Sequence, residues 1–167
     1  VPIYRKDEER AAVLEAADKI AQDLRDDGLF VEVDKRDGMK PGAKYFEWER
    51  KGVPLRLEIG PRDLESKSVM TKLRLAETDE RGKPKKDVVP MEGIGLAVGK
   101  MLDDFQQALY DRALALREAN TVTVDTWEEF EAIFADGQSK FVWAHWDGTT
   151  ETEHAIKDAT KATIRCI

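Results

Sequence analysis

The hydrophobic residues of this chain change their spacing several times, from the spacing of a helix to that of a strand. From residue 7 to residue 27 they recur every three or four positions, and Gly28 follows the last of them, as helix-ending glycines do. From 54 to 59, and again from 66 to 76, apolar and polar residues alternate instead. Alternating segments between helical ones predict an α/β fold, in which helices cover a sheet.

The same reading along residues 1–120 predicts the order β, α, β, α, β, β, β, α. The five predicted strands cover residues 1–4, 30–34, 54–59, 66–76 and 88–90. The predicted helices are 7–27, a short one that carries Tyr45 and Trp48 and that Gly52 closes, and a long one from about 93 to 119. This order is typical of a mixed sheet covered by helices.

A second unit is predicted after the long helix. Asp125 or Thr126 can cap a helix there. The apolar face of that helix is formed by Trp127, Phe130, Ile133 and Phe134. A strand (140–146), a helix (about 150–160) and a final strand (162–167) follow. The chain is therefore expected to form two domains, 1–120 and 121–167, of which the second is a small α/β module.

Composition limits the classes of partner. The chain has 167 residues, and none of its apolar runs approaches the roughly 20 residues of a membrane-spanning helix. We therefore expect no membrane role, and because no signal peptide is visible we expect a cytoplasmic protein. The net charge of −7 argues against attachment to nucleic acid by bulk electrostatics, and DNA is not an expected partner. Basic residues are concentrated between 35 and 86, so any RNA contact is expected to be local.

The aromatic, acidic and basic side chains around Gly52 suit the reading of unpaired bases. The Tyr45 ring can stack on a base, and Glu49 can accept hydrogen bonds from the Watson–Crick edge of guanine. Arg56 and Arg62 can donate to guanine or to phosphate, and the alternation turns Arg56 away from the apolar face. The other interpretation of Glu49 and Arg56 is a weakly stabilising surface salt bridge.

A set of spaced residues between 44 and 63 carries a resemblance to a known family. They are Lys44, Tyr45, Trp48, Glu49, Lys51, Gly52, Pro54, Arg56, Glu58, Gly60, Pro61, Arg62 and Asp63. With them the chain resembles the anticodon-binding domain of prolyl-tRNA synthetases of the archaeal and eukaryotic type. The resemblance implies the class II synthetase anticodon-binding fold, a five-stranded mixed sheet with three helices. It also implies that Glu49 and Arg56 read the two guanines shared by proline anticodons, while Tyr45 and Arg62 add stacking and polar contacts.

The resemblance further implies that the chain recognises the tRNA for proline as the C-terminal part of a synthetase. ATP-dependent ligation of proline to tRNA would belong to a catalytic domain absent from this chain, together with ATP, Mg²⁺ and the homodimer contacts. No residue of this chain is expected to be catalytic, and a first residue other than methionine favours a piece of a longer protein. Two alternatives stay open: a free-standing RNA-binding or regulatory module, and a small-molecule α/β enzyme with clustered titratable residues in a deep pocket.

The ending DATKATIRCI resembles the end of the zinc-holding module of the same synthetases, but the module departs from the family at its metal site. The first two family cysteines fall on Asp147 and Thr152, and the second pair would lie beyond Ile167. Neither side chain supplies a thiolate, so we expect a degenerate, truncated module without zinc. The alternative is a cluster of other ligand types: His145, Asp147, His154 and Cys166.

Gly93, Gly95 and Gly99 resemble a phosphate-binding loop at a helix start. The third glycine comes one place late for the dinucleotide fingerprint, and the spacing of glycines and lysine in a P-loop is lacking as well. We therefore expect these small residues to allow close helix packing.

Overall fold

The computed structural model describes residues 1–135, 137 and 140–165. The chain divides into two compact units, Val1–Gln107 and Ala108–Ile167, and the division falls within the long helix. Over the described residues, the first unit has a three-stranded sheet and the second a two-stranded sheet. No helix in this described part is both long and apolar enough to cross a membrane.

The first unit contains most of the predicted elements. Its helices are α1 (Asp7–Asp26), α2 (Pro41–Arg50), α3 (Pro61–Glu65) and the first part of α4 (Ile94–Ala119). Its strands are β1 (Leu55–Glu58), β2 (Ser68–Leu73) and β3 (Asp87–Pro90). The three predicted helices are confirmed. The additional helix α3 is not predicted, because a helix of little more than one turn is too short to show a periodic pattern.

The three strands form an antiparallel sheet in the order β1-β2-β3. In the register of β1 and β2, Arg56 lies opposite Lys72 and Glu58 lies opposite Met70. Side chains alternate along a strand, so these residues share the face of the sheet opposite to that of Leu55. One face of the sheet is therefore apolar, and the other carries charges.

The apolar face packs against α1 and the first turns of α4. The core is formed by Val13, Ala17, Ile20, Leu24, Leu55, Ile59, Val69, Val89, Ile94 and Val98. Full burial of a Val or Leu side chain stabilises a fold by roughly 1.5 to 3 kcal/mol. The helical spacing and the strand alternation of the sequence thus converge on one core.

Two glycines end helices in this unit. Gly28 follows α1 with φ +83°, and Gly52 follows α2 with φ +87°, values that residues with a side chain rarely adopt. After α2 the Gly52 N–H donates to the Glu49 carbonyl (3.1 Å), and the Val53 N–H donates to the Trp48 carbonyl (3.1 Å). This paired closure fixes the direction in which the chain leaves α2 and enters β1.

The Gly-Pro-Arg-Asp sequence at 60–63 has a structural reason of its own. Pro61 begins α3, and the Asp63 carboxylate accepts the Gly60 N–H at 2.7 Å. A Cβ on Gly60 would lie 3.1 Å from the Ile3 carbonyl oxygen, so the glycine allows the N-terminal segment to approach the end of β1.

The predicted five-stranded sheet is wrong, because residues 1–4 and 30–34 are not strands of the sheet. Residues 1–4 contact it through a single parallel bridge between Pro2 and Ile59, which is too short for a ladder.

Residues 30–34 form no ladder with another described strand. Val31 and Val33 pack on the core, whereas Phe30 is fully exposed. Alternation in the sequence reports burial of one side, and it does not report whether the backbone has a neighbouring strand.

The glycines at the start of α4 are explained in part by helix packing. The Asp27 carboxylate, at the end of α1, fills the space that a Cβ on Gly95 would need. Gly93 precedes the helix with φ +69°. Around Gly99 the space is open, so packing within the described residues gives no reason for that glycine.

The second unit contains β4 (Thr121–Thr123), α5 (Trp127–Ala135), β5 (Phe141–Trp143) and α6 (Thr150–Thr160), besides the end of α4. Strands β4 and β5 pair in parallel. Both predicted helices are confirmed, and the predicted strand at 140–146 is present in shorter form. The predicted final strand is wrong for residues 162–165, which pair with no strand of the described chain, and residues 166 and 167 lie outside it.

The cap predicted for α5 is in place at Thr126. Its Oγ1 accepts the Glu129 N–H (3.3 Å), and the Glu129 carboxylate accepts the Thr126 N–H (3.3 Å). Along the apolar face, the Trp127 and Phe130 rings stack at 5.6 Å, and the Phe130 and Phe134 rings lie 5.1 Å apart. The predicted start and face of this helix are therefore confirmed.

Candidate nucleic-acid interface

The charged face of the three-stranded sheet is contacted by α2. Tyr45 and Glu49 are one turn apart on this helix, so they lie on the same side of it. Both contact Arg56, which projects from β1. The structure thus brings together three of the four predicted site residues. With their charged neighbours they form the Arg56 cluster, which consists of Tyr45, Glu49, Arg56, Glu58, Lys72 and Lys86.

Arg56 is the centre of this cluster. The carbon of its guanidinium lies 3.7 Å from the centroid of the Tyr45 ring, and Nη1 donates to Glu49 Oε1 at 2.6 Å. Nε and Nη2 donate to Glu58 Oε1 at 3.0 and 2.9 Å. Because a guanidinium has five N–H donors, two N–H groups of Arg56 take no part in these three hydrogen bonds.

The side chain of Arg56 is only 9% exposed. It lies on the side of the sheet opposite to Leu55, as the alternation predicts. The alternative interpretation of a salt bridge with Glu49 is right in its pairing but wrong in its exposure. The ion pair holds the arginine in place beneath the Tyr45 ring.

Two lysines complete the cluster, and the sequence analysis does not mark them as site residues. Lys72 Nζ donates to Glu49 Oε1 at 2.7 Å, and Lys86 Nζ donates to Glu58 Oε2 at 2.8 Å. The Lys72 side chain is 7% exposed, and Lys72 lies opposite Arg56 on the neighbouring strand. Alternation places Lys72 on the polar face of β2, but its position opposite Arg56 follows from the register of β1 and β2, which the sequence pattern does not contain.

Only one oxygen of the Glu49 carboxylate accepts hydrogen bonds from described residues. Arg56 and Lys72 both donate to Oε1, and no hydrogen bond from another described residue reaches Oε2. The side chain is 32% exposed. Since each carboxylate oxygen can accept about two hydrogen bonds, Oε2 is open to the N–H donors of a ligand. The N1 and N2 groups of guanine are donors of this kind.

The neighbouring cations keep the carboxylates of the cluster ionised. Burial raises the pKa of Glu49, but hydrogen bonds from Lys72 and Arg56 outweigh burial and leave the pKa below its usual value. Glu58 follows the same pattern, with Lys86 and Arg56 as the donors. At neutral pH the cluster therefore presents acceptors rather than protonated acids.

Tyr45 is less open for stacking than the sequence predicts. The Arg56 guanidinium lies against its ring, and Lys86 Nζ is 5.8 Å from the ring centroid. Burial raises the pKa of the phenol, which therefore stays neutral. The adjacent Phe46 is 69% exposed and lies three residues before Glu49, on a neighbouring part of the helix surface. Phe46 is thus the more exposed of the two rings.

Arg62 is not joined to the other three predicted residues. It lies exposed on α3, and no side-chain hydrogen bond or ion pair connects it to the Arg56 cluster in the part of the chain that the structure describes. Its long side chain is available to solvent, so its predicted contact with RNA requires a ligand that extends beyond the cluster.

The other side of α2 is fixed by a second charged group, centred on Asp34. Asp34 Oδ1 accepts Arg36 Nε at 2.9 Å, and Oδ2 accepts Arg36 Nη2 at 2.7 Å and Trp48 Nε1 at 2.8 Å. Lys44 Nζ donates to the Asp34 carbonyl oxygen at 3.2 Å. The bonds from Arg36 hold the pKa of Asp34 well below its usual value. We call this the Asp34 cluster: Asp34, Arg36, Lys44 and Trp48.

The residues at the family's zinc positions, Asp147 and Thr152, hydrogen-bond around the N-terminal cap of α6. Thr149 is the N-cap of α6, and its Oγ1 accepts the Thr152 N–H at 3.3 Å. Asp147 accepts the Thr149 N–H at 2.9 Å and the Thr152 hydroxyl. Among the described residues no group of three or more His, Cys, Asp or Glu side chains is placed to hold a metal, and Cys166 lies outside them. The side chains at these positions therefore do not fit a thiolate zinc site.

Arginine, carboxylate and aromatic side chains, such as those clustered on this face of the sheet, are groups with which proteins can contact unpaired bases. A family model described as "Anticodon binding domain" matches residues 1–92, which is more than half of the chain. A second model, "Prolyl-tRNA synthetase, C-terminal", matches residues 127–167. The chain belongs to the anticodon-binding domain family of aminoacyl-tRNA synthetases.

Relatives that match the whole chain carry the name proline--tRNA ligase. The chain is 46% identical to the relative from Porphyromonas gingivalis, of which it covers 32%. It is 45% identical to the relative from Roseiflexus castenholzii, covering 33%, and 41% identical to that from Salinibacter ruber, covering 32%. The chain thus spans about a third of the length of these relatives.

Proposed function

We propose that this chain recognises the anticodon of the tRNA for proline, as the tRNA-recognition part of a prolyl-tRNA synthetase. The observation that carries this proposal is the Arg56 cluster, where an ionised Glu49 with one open oxygen lies beside an arginine that retains free N–H groups. Membership of an anticodon-binding family supports tRNA as the ligand, and the names of the relatives support proline as the amino acid.

The chemistry of the cluster suits guanine better than the other bases. A carboxylate accepts from guanine N1 and N2, and a guanidinium donates to guanine O6 and N7. Arg56 Nη1 lies 2.6 Å from Glu49 Oε1, so two neighbouring guanines can contact the two side chains. Tyr45 holds the arginine plane from one side, and Arg62 contributes a polar or phosphate contact outside the cluster.

The activity of the larger enzyme is also a proposal. A catalytic domain outside this chain would ligate proline to tRNA with ATP and Mg²⁺, would form the homodimer, and would act in the cytoplasm. This chain itself would supply specificity and no catalytic group. Zinc is not expected in it, because Asp147 and Thr152 hydrogen-bond to the N-cap residue Thr149 and provide no thiolate. Elemental analysis should therefore find well under one zinc per chain.

Binding of anticodon stem-loops tests the proposal. The first stem-loop carries the proline anticodon, and the second has adenines in place of its two guanines. Wild type should bind the first more tightly at fixed salt. Arg56→Ala and Glu49→Ala should each lose about 1 to 3 kcal/mol of that preference. Glu15→Ala, on the exposed side of α1, is the control and should keep it.

Fixed salt is needed because phosphate contacts alone give salt-dependent binding without discrimination. Equal binding of both stem-loops by wild type would refute the proposed function. A folded Arg56→Ala variant with undiminished preference would show that this surface does not read the anticodon.

A further inference from the structure

Lys72 is placed to control the carboxylate that faces the ligand. Its Nζ donates to Glu49 Oε1 at 2.7 Å, the same oxygen that accepts Arg56 Nη1. Two cations therefore hold one oxygen of the carboxylate, and this fixes the plane of the group with Oε2 on the open side. Lys72 belongs to β2, so it reaches Glu49 from a rigid strand rather than from a loop.

Among the described residues, the Lys72 ammonium donates to Glu49 alone, whereas Arg56 donates to two carboxylates. Arg56 is shared between Glu49 and Glu58 and lies under the Tyr45 ring, and its remaining N–H groups are the proposed donors to a base. Lys72 makes its hydrogen bond to Glu49, and its side chain is 7% exposed. A ligand that draws Arg56 away would leave Lys72 in place on the carboxylate.

We propose that Lys72 is a positioning residue for guanine recognition, which holds the first oxygen of Glu49 so that its second oxygen accepts from the base. This inference rests on the proposed function and adds a residue that acts through Glu49 rather than on the RNA. It predicts that loss of the lysine charge removes discrimination between guanine and adenine, while the rest of the binding surface stays as it is.

The effect on pH follows from the groups that face Glu49. Arg56 faces it from β1 and Lys72 from β2, and Tyr45 lies one turn away on its own helix. Burial favours the neutral acid, so the two cations are what hold its pKa below the usual value. Without Lys72 the pKa of Glu49 rises, and guanine recognition should be lost at a higher pH than in wild type.

Lys72→Met tests this inference, because methionine keeps the apolar stem of the side chain and removes its charge. Affinities for the guanine and adenine stem-loops are measured at pH 7 and pH 5 in constant salt. Lys72→Met should reduce the ratio of the two affinities by roughly five- to thirtyfold at pH 7 and further at pH 5, whereas wild type should keep its ratio at both. Lys72→Arg should restore most of the ratio.

Lys100→Met is the matched control, because it makes the same charge change at an exposed lysine on α4 that pairs with Asp104. It should leave the ratio unchanged. If Lys72→Met misfolds, Lys72→Gln is measured in its place. An equal loss of affinity for both stem-loops, or an unchanged ratio at both pH values, would overturn the role of Lys72 while the proposed function stands. If wild type itself shows no ratio, the proposed function fails and the inference with it.

Discussion

Two carboxylates, Asp34 and Glu49, lie on opposite sides of α2. They have similar hydrogen-bond partners, but their side chains differ in solvent exposure. Asp34 and Glu49 each accept hydrogen bonds from an arginine, and each lies near a largely buried lysine, Lys44 or Lys72. Both oxygens of Asp34 have partners, and its side chain is 2% exposed. Glu49 uses one oxygen, and its side chain is 32% exposed.

This difference separates a structural carboxylate from one that can bind a ligand. Ion pairing does not distinguish them, because both are paired and both have a lowered pKa. What distinguishes them is the acceptor capacity that remains after the protein's own bonds are made. Asp34 fixes α2 to the preceding segment, whereas Glu49 retains an oxygen toward solvent.

The largest expected effect is a loss of stability when Asp34 is substituted. Asp34→Ala removes the acceptor of the Trp48 N–H and the carboxylate that lies 3.7 Å from the buried Lys44 ammonium, which keeps its bond to the carbonyl oxygen of residue 34. Removal of one partner from a buried charged group costs about 3 kcal/mol or more of unfolding free energy. Urea denaturation measures it. A loss below about 1 kcal/mol would show that Asp34 does not anchor α2.

Low pH should destabilise the fold by protonating Asp34. Because the pKa of Asp34 in the folded chain lies below its ordinary value of 3.8, its contribution is complete above that value and is lost as pH falls toward the folded pKa. Wild type should therefore lose unfolding free energy below about pH 4. Asp34→Asn should lose about 1 to 2 kcal/mol less over that window. Parallel acid profiles for the two proteins would contradict this assignment.

The smallest effect on stability is expected when Glu49 is substituted. Glu49→Gln keeps the shape of the side chain and a carbonyl oxygen that can accept from Lys72, and Arg56 keeps its bonds to Glu58. Its unfolding free energy should fall by less than about 1 kcal/mol. The same urea experiment makes the comparison with Asp34→Ala. Equal losses for the two variants would mean that Glu49 is also structural.

Much of the fold could be predicted from spacing, because core burial imposes the spacing. The helical pattern of α1 and the alternation in β1 and β2 both follow from the buried positions of the core. Sheet size could not be predicted in this way. Residues 30–34 alternate because one side packs on the core, although their backbone pairs with no described strand.

The site was predictable in part for a similar reason. Alternation and the turn at Gly52 placed Glu49 and Arg56 near each other, and the structure joins them at 2.6 Å. The role of Lys72 depends on the register between β1 and β2, which the pattern within each strand does not contain. The packing of Arg56 against the Tyr45 ring is likewise a tertiary contact.

The central claim is that Glu49 contacts a guanine directly, and a double-mutant cycle between the protein and the RNA tests it. Each anticodon guanine is replaced singly by inosine, which lacks the N2 amine, and both RNAs are bound to wild type and to Glu49→Gln. A direct contact predicts a coupling free energy of about 1 to 2 kcal/mol at one of the two guanines. Additive losses at both, with coupling below about 0.3 kcal/mol, would contradict the account.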